Sequence, residues 1–232
     1  MKRGRKIVLK LSGESLAGDN NQGIDFNKAL EIAKSLKKVY DEKIRLLIVI
    51  GGGNFWRGRS NTYMTADTSD YIGMLGTEMN ALVLYEALKQ VNCNARVFTR
   101  FNIPCAELYD EVKVKEAIID NIVIVGGGIG LPAHSTDSGA AASARDINAD
   151  LLLKMSKTDG LYNADPFKVK DALKINKITF DEVIEKKLEI MDLEAFMICK
   201  NANIPIRIFK MNNLLDIIDI AHGADLGSLI TN

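Results

Sequence analysis

Apolar residues in this chain follow two rhythms. Short runs rich in branched residues predict strands: KIVLKL at 6–11, RLLIVI at 45–50, ARVFT at 95–99, NIVIV at 121–125, DLLLKM at 150–155, PIRIF at 205–209 and GSLIT at 227–231. Longer amphipathic stretches at 25–41, 70–90, 137–148, 192–202 and 213–221 predict helices between them. Strands that alternate with helices pair in parallel, and parallel strands need crossover helices that cover the sheet. The pattern therefore predicts a doubly wound α/β fold, a three-layer sandwich with a mostly parallel sheet and helices on both faces. Alternation in the first strand puts Lys6, Val8 and Lys10 on one face and Ile7, Leu9 and Leu11 on the other.

Nothing in the pattern reads as a linker. The 4 prolines are dispersed and no Gly/Ser-rich segment occurs, so a single domain over 1–232 is expected. Residues 156–190 are the least regular part, with turn signals at Asp159-Gly160 and Asp165-Pro166, and are expected to form a subdomain over the sheet. With 47% apolar residues the chain has the material for a sizeable core, which argues against disorder.

Charge and cysteine usage remove several function classes. Lys plus Arg number 30 and Asp plus Glu number 30, a balance unsuited to a protein that lives by contacts with a nucleic-acid backbone. The 3 cysteines, Cys93, Cys105 and Cys199, have no CxxC spacing, so neither a disulfide framework nor a zinc site is indicated and a reducing cytoplasm is expected. The N-terminus opens with cations, but Lys10 interrupts its apolar run too early for a signal peptide, and no run is long enough to span a bilayer. Only 2 histidines are present, His134 and His222, with no HExxH pair for metal catalysis.

Chemistry must then come from lysine, arginine, aspartate and glycine backbone, and three glycine-rich loops follow predicted strands. These are Lys10-Leu11-Ser12-Gly13, Gly51-Gly52-Gly53-Asn54 with Arg57 just beyond, and Gly126-Gly127-Gly128-Ile129-Gly130 leading to Ser135-Thr136-Asp137. Glycine lets backbone N–H groups approach an anion closely, and an arginine can grip a phosphate with two parallel bonds. The plainer reading of any one such glycine is a tight turn. Lys10 and Lys154 lie inside predicted strands, where an ammonium needs an internal carboxylate or an anionic ligand. Asp137 fits a helix N-cap as well as a catalytic carboxylate. No GxxxxGK[ST] occurs, which excludes a P-loop; a degenerate GxGxxA at Gly128, Gly130 and Ala133 is interrupted by Pro132 and leaves a dinucleotide oxidoreductase as a weak rival.

At these residues the chain resembles the amino acid kinase superfamily and, within it, the bacterial UMP kinase family. The resemblance rests on LKLSGE at 9–14, VIGGGNFWRG at 49–58, DYIGMLGTEMNAL at 70–82, STDSGAA at 135–141, ADLLLKMSKTDGLYNADP at 149–166, EIMDLEAF at 189–196 and PIRIFKM at 205–211, in family order. It implies that Lys10, Leu11, Ser12, Gly13 and Gly53 hold the ATP phosphates, with Arg57 also within reach, while Ser156, Tyr162 and Asp165 line the ATP nucleoside pocket. Gly52, Arg57, Asp70 and the loop Ile129, Gly130, Leu131, Pro132, Ala133, His134, Ser135 and Thr136 would hold UMP, with Arg57 on its phosphate and Asp70 on its ribose. Lys10, Asp137 and Lys154 would be catalytic, with Asp192 a second carboxylate, and Mg²⁺ would ride mainly on nucleotide phosphates rather than on direct protein ligands. Residues 1–150 would form mainly the UMP lobe and 151–232 mainly the ATP lobe; the resemblance also implies a homohexamer and feedback by UTP. Taken without the resemblance, Tyr162 reads as a half-buried aromatic and Asp165 as a turn former before proline.

One departure is expected to matter. Where the family reads Thr-Gly-Asn-Pro and two aromatics, this chain has Ile129-Gly130-Leu131-Pro132-Ala133-His134, so contacts to the pyrimidine would fall to backbone groups or to stacking by His134. Two rivals stay open on the sequence: a superfamily phosphotransferase with a carboxylate or carbamate acceptor, and a nucleotide-binding regulator without catalysis.

Overall fold

The structure, a computed structural model, describes residues 4–20, 22–58, 63–188, 190–210 and 214–232. Its strands are β1 (Lys6–Leu11), β2 (Arg45–Ile50), β3 (Ala95–Thr99), β4 (Glu107–Leu108), β5 (Ile122–Gly126), β6 (Leu151–Ser156), β7 (Leu161–Tyr162), β8 (Lys174–Ile175), β9 (Lys177–Thr179), β10 (Ile206–Lys210) and β11 (Ser228–Thr231). Its helices are α1 (Phe26–Asp41), α2 (Ala66–Gln90), α3 (Glu111–Ala117), α4 (Thr136–Asp146), α5 (Phe180–Glu185), α6 (Leu193–Asn201) and α7 (Asp216–Ala221). Nine strands join in the order β4-β3-β5-β2-β1-β6-β10-β11-β9, and every neighbouring pair is parallel except β10 with β11.

Two apolar layers flank this sheet, and β1 shows how the sequence builds both. Ile7, Leu9 and Leu11 pack with Ala33 and Leu36 of α1 and Leu84 and Leu88 of α2. Val8 faces the opposite way and packs with Ala140 and Ala144 of α4 and Phe196 of α6. Lys10 follows Val8 on that second face, at the carboxyl end of the strand. Because β1 sits between β2 and β6, the chain leaves it in one direction and returns on its other side, and ligands of open α/β sheets bind at such a switch point.

The predicted strands all form. α2 starts at Ala66 rather than at 70, because the Thr65 side chain accepts the Thr68 N–H at 3.3 Å and caps a polar first turn. The short α3 and α5 were not foreseen; α5 is fixed by a capping box between Thr179 and Glu182 rather than by periodicity. For the last helix, expected from 213, Asn213 lies outside the described residues. The irregular stretch 156–190 divides: β7 and β8 pair in a separate two-stranded sheet, whereas β9 adds to the main sheet beside β11. No helix among the described residues is long and apolar enough to cross a membrane.

Candidate active site

Register brings the two strand lysines together. β1 and β6 pair with Lys10 opposite Lys154, so both side chains leave the sheet on the α4 side. Asp137, in the first turn of α4, lies between them: Oδ1 stands 3.3 Å from Lys10 Nζ, and Oδ2 accepts a hydrogen bond from Lys154 Nζ. The helix can bring its N-terminus down on the strands because Gly139, Ala140, Ala141, Ala142, Ser143 and Ala144 are all small and buried. Ser135 is the residue that caps it, its Oγ accepting the N–H groups of Asp137 and Ser138 at 3.1 Å each. The capping role considered for Asp137 is thus taken by Ser135, and the Asp137 carboxylate is left for the lysines.

Burial and charge act together on Asp137 and Lys154. Burial pushes the Asp137 carboxyl up, but the charges of Lys10 and Lys154 and their hydrogen bonds outweigh it and hold the group below the usual aspartate range. Burial pushes the Lys154 ammonium down, Asp137 opposes that, and the like charge of Lys10 adds to it; the net direction is down. Two cations around one anion leave positive charge over, at the N-terminus of a helix.

A cleft of about 1330 Å³ opens onto this trio. Of the expected residues, Lys10, Gly52, Gly53, Asp70, Ala133, His134, Ser135, Thr136, Asp137, Lys154 and Asp192 line it. Ile129, Gly130, Leu131 and Pro132 do not. Leu11 is fully buried in the core, so only its backbone could meet a ligand. Ser12 caps a short turn by accepting the Glu14 N–H at 3.3 Å, and Gly13 packs where a Cβ would come 2.7 Å from Asn80 Nδ2. Arg57 stands outside the cleft lining with its guanidinium on Glu14. Tyr162 donates its hydroxyl to Asp159 Oδ1 at 2.6 Å, Asp165 Oδ1 accepts the Phe167 N–H at 3.0 Å, and the Ser156 hydroxyl lies 3.1 Å from that of Thr158. Those three residues shape the neighbouring 156–168 segment and do not line the cleft.

The loop after β5 is held in an unusual shape. Gly127, Gly128 and Gly130 have φ of 77°, 58° and 85°, and Ala133 is left-handed at 65°. A non-glycine residue there costs energy, and Asp70 Oδ2 secures it by accepting the Ala133 N–H at 2.7 Å. His134 Nδ1 lies 2.8 Å from Glu194 Oε2 and ties the same loop to α6. The first two glycines of this triple also have a steric reason. A Cβ at Gly126 would overlap Glu78 Oε2, and one at Gly127 would lie 2.7 Å from Glu78 Oε1, so these two glycines make room for a buried carboxyl.

Sequence reasoning missed several residues that set this geometry. Asn54 and Asn80 exchange hydrogen bonds at 2.7 and 3.0 Å, and Asn80 also donates to Gly51 O at 2.7 Å, pinning the second glycine loop. Thr77 Oγ1 accepts the Gly127 N–H at 2.6 Å. Glu78 left a legible signal, a charge on the α2 face that carries Met74, Ala81 and Leu88, which buries it.

The geometry matches known proteins along its length. The model of the amino acid kinase family matches residues 5–210. The chain is 39% identical over 236 residues to a uridylate kinase of Bacteroides thetaiotaomicron, covering 100% of both, and 41% identical over 231 residues to one of Limosilactobacillus reuteri, covering 97% of this chain and 96% of the relative. The crystal structure of UMP kinase from Bacillus anthracis superposes with a TM-score of 0.93 at 29% identity, covering 99% of this chain and 97% of that one. That of UMP kinase from Ureaplasma parvum gives 0.91 at 29% identity, with 99% and 100% covered. The chain belongs to the amino acid kinase family and, within it, to the uridylate kinases.

Proposed function

We propose that this protein transfers the γ-phosphate of ATP to UMP, giving UDP and ADP, in pyrimidine nucleotide synthesis. The observation that carries this reading is the Lys10–Asp137–Lys154 trio at the sheet's switch point, in a cleft also lined by Gly52, Gly53 and Asp70. An acceptor phosphate oxygen is already deprotonated, so it attacks the γ-phosphorus without a general base while the bond to the bridging oxygen of ADP breaks. Catalysis is then positioning and charge neutralisation. Lys10 and Lys154 neutralise the transferring group, and Asp137, held ionised by them, keeps the two ammonium groups in register. A carboxyl whose pKa is depressed this way is poorly suited to abstract protons near neutral pH, which supports its role as an organiser.

In this reading Lys10 to Gly13 and Gly53 meet the ATP phosphates, and Ser156, Tyr162 and Asp165 lie on the nucleoside side. Gly52, Asp70 and the 129–136 loop meet UMP, and Arg57 turns from Glu14 to its phosphate. Residues 1–150 then serve mainly UMP and 151–232 mainly ATP. Among the described residues no group of three or more His, Cys, Asp or Glu side chains could hold a metal ion. Asp137 is paired with both lysines, and Asp192 lines the same cleft. In this reading Mg²⁺ would be held mainly by the nucleotide phosphates, with Asp137 and Asp192 in the same cleft, and would supply further charge neutralisation. A hexamer of this chain belongs to the same reading, and the exposed α2 stripe of Tyr71, Leu75 and Met79 supports it with apolar surface.

The test is ADP release with UMP, CMP, dUMP and AMP as acceptors, set beside carboxylate and carbamate acceptors. UMP is expected to be turned over best. Turnover of a carboxylate or carbamate without UMP would replace this reading with its nearest rival, and no ADP release with any acceptor would leave a nucleotide-binding regulator.

A further inference from the structure

Glu78 takes no part in the chemistry above, yet it is the least conventional side chain in the fold. It lies in the middle of α2 and is 4% exposed. Its Oε1 accepts the hydroxyl of Thr99, itself fully buried on β3, and its Oε2 is buried without a hydrogen-bond partner. The carboxyl occupies the space that side chains at Gly126 and Gly127 would fill. One residue earlier on the helix, Thr77 Oγ1 accepts the Gly127 N–H and donates to Met74 O, both at 2.6 Å. Two consecutive residues of α2 thus grip the point where β5 becomes the loop, Thr77 by a hydrogen bond and Glu78 by filling the space beneath it. The next residue, Gly128, lines the cleft with Thr77.

We propose that Glu78 is a positioning residue for acceptor binding, its carboxyl acting through Gly126 and Gly127 to hold the 127–136 loop in its acceptor-binding shape. The inference rests on the reading above that this loop meets UMP. Its surroundings make the hold depend on the proton of the carboxyl. Burial pushes the group up to about 7, with the Thr99 hydrogen bond pulling the other way. The partners that face it are neutral: Thr99 on β3, the Gly126 and Gly127 backbone on the β5 side, and Thr77 beside it on α2. The charged groups at this loop include Arg100 and His134. Arg100, which packs against Gly127 and Gly130, stacks on the Tyr109 ring at 3.3 Å with Nη2 3.7 Å from Asp146 while its Nε and Nη2 are buried without a hydrogen bond, and His134 pairs with Glu194.

An ionised carboxylate in such a place needs a donor for Oε2. The adjacent Gly127 N–H is already given to Thr77, so the charged form must draw that N–H away, turn the Arg100 side chain that packs against Gly127 and Gly130, or admit water, and each change loosens the loop. Raising the pH through the titration of Glu78 is therefore expected to weaken acceptor binding and leave ATP binding unchanged.

The experiment compares the parent with Glu78→Gln, which keeps the shape and cannot ionise, from about pH 6 to about pH 8.5. UMP ionises its own phosphate near pH 6, so the quantity read is the ratio of parent to variant UMP KM at each pH. That ratio is expected to rise about threefold or more across the range, with the corresponding ATP KM ratio flat. In parallel, amide hydrogen exchange of segment 126–133 in the parent, corrected for the intrinsic pH dependence, is expected to lose protection over the same range while β2 does not. A constant KM ratio, or protection in 126–133 that tracks β2, overturns the proposal. The exchange measurement decides it if Glu78→Gln fails to fold, and also if UMP proves not to be the acceptor, so failure of the positioning role stays distinguishable from failure of the functional reading.

Discussion

Asp137 and Glu78 are both carboxylates taken out of water by this fold, one in the first turn of α4 and one in the middle of α2, and burial pushes both towards the neutral form. Their partners send them opposite ways. Asp137 faces two ammonium groups and stays ionised, with its pKa depressed. Glu78 faces a hydroxyl and glycine backbone and is pushed up to about 7. Burial alone does not decide whether a carboxylate serves as a charge or as a shape; the groups the topology places against it do. In the proposed function the first region concentrates charge for phosphate chemistry, and in the proposed positioning role the second uses an acid to support a loop.

The largest test of that contrast is Asp137→Asn. The variant keeps the volume and removes the charge, so Lys10 and Lys154 are left facing each other. With UMP as acceptor, kcat is expected to fall about 10²-fold or more while ATP binding survives. Ser135 still caps α4, so the cost to folding falls on the unpaired lysines, at about 3 kcal/mol in chemical denaturation. Near-parental kcat in the folded variant would remove Asp137 from the mechanism.

The pH dependence of stability separates the two carboxylates directly. Asp137 has a depressed folded pKa, so its contribution is present above the unfolded value of 3.8 and fades as pH falls through the lower folded one. Glu78 behaves in reverse. The unfolded carboxyl releases its proton near 4.5 and the folded one near 7, so the native state binds more protons between those values and loses stability as pH rises across them. Urea unfolding at pH 5 and pH 8 should show Glu78→Gln gaining about 2 kcal/mol on the parent between the two conditions. Parallel curves would mean that Glu78 is ionised throughout.

Arg57 extends the comparison to an exposed pair. Its guanidinium side chain is 62% exposed and rests on Glu14, a contact worth little to stability. Arg57→Lys keeps the charge and loses the fork, so UMP KM is expected to rise about tenfold with ATP KM nearly constant and the unfolding midpoint unmoved. Equal changes in both constants would move Arg57 off the acceptor phosphate.

The smallest effect is expected at Asp70, whose Oδ2 already serves Ala133. In Asp70→Asn, discrimination between UMP and dUMP should shrink by about 1 kcal/mol, read as the ratio of their kcat/KM values. Equal rejection of dUMP by parent and variant would confine Asp70 to holding the loop.

Much of the frame was legible because it is local. The alternation of Ile7, Leu9 and Leu11 against Val8 and Lys10 states which face of β1 meets which helical layer. The need of Lys10 and Lys154 for an internal anion could be read from their places inside strands. α3 and α5 were missed because helices of 7 and 6 residues are too short for an apolar period to show, and β4, β7 and β8, of 2 residues each, carry no alternation at all.

By itself the sequence determined the two-sided strands, the breaks at glycine, and the presence of strand lysines whose charge must be neutralised, because each follows from residue type and short spacing. Only the tertiary structure decided that β1 and β6 pair with Lys10 beside Lys154, that Asp137 and not another carboxylate comes between them, and that Gly126 and Gly127 are small for the sake of Glu78. Those contacts join residues far apart in the chain. No local period encodes them, since the pairing register and the packing of α2 and α4 on the sheet set them.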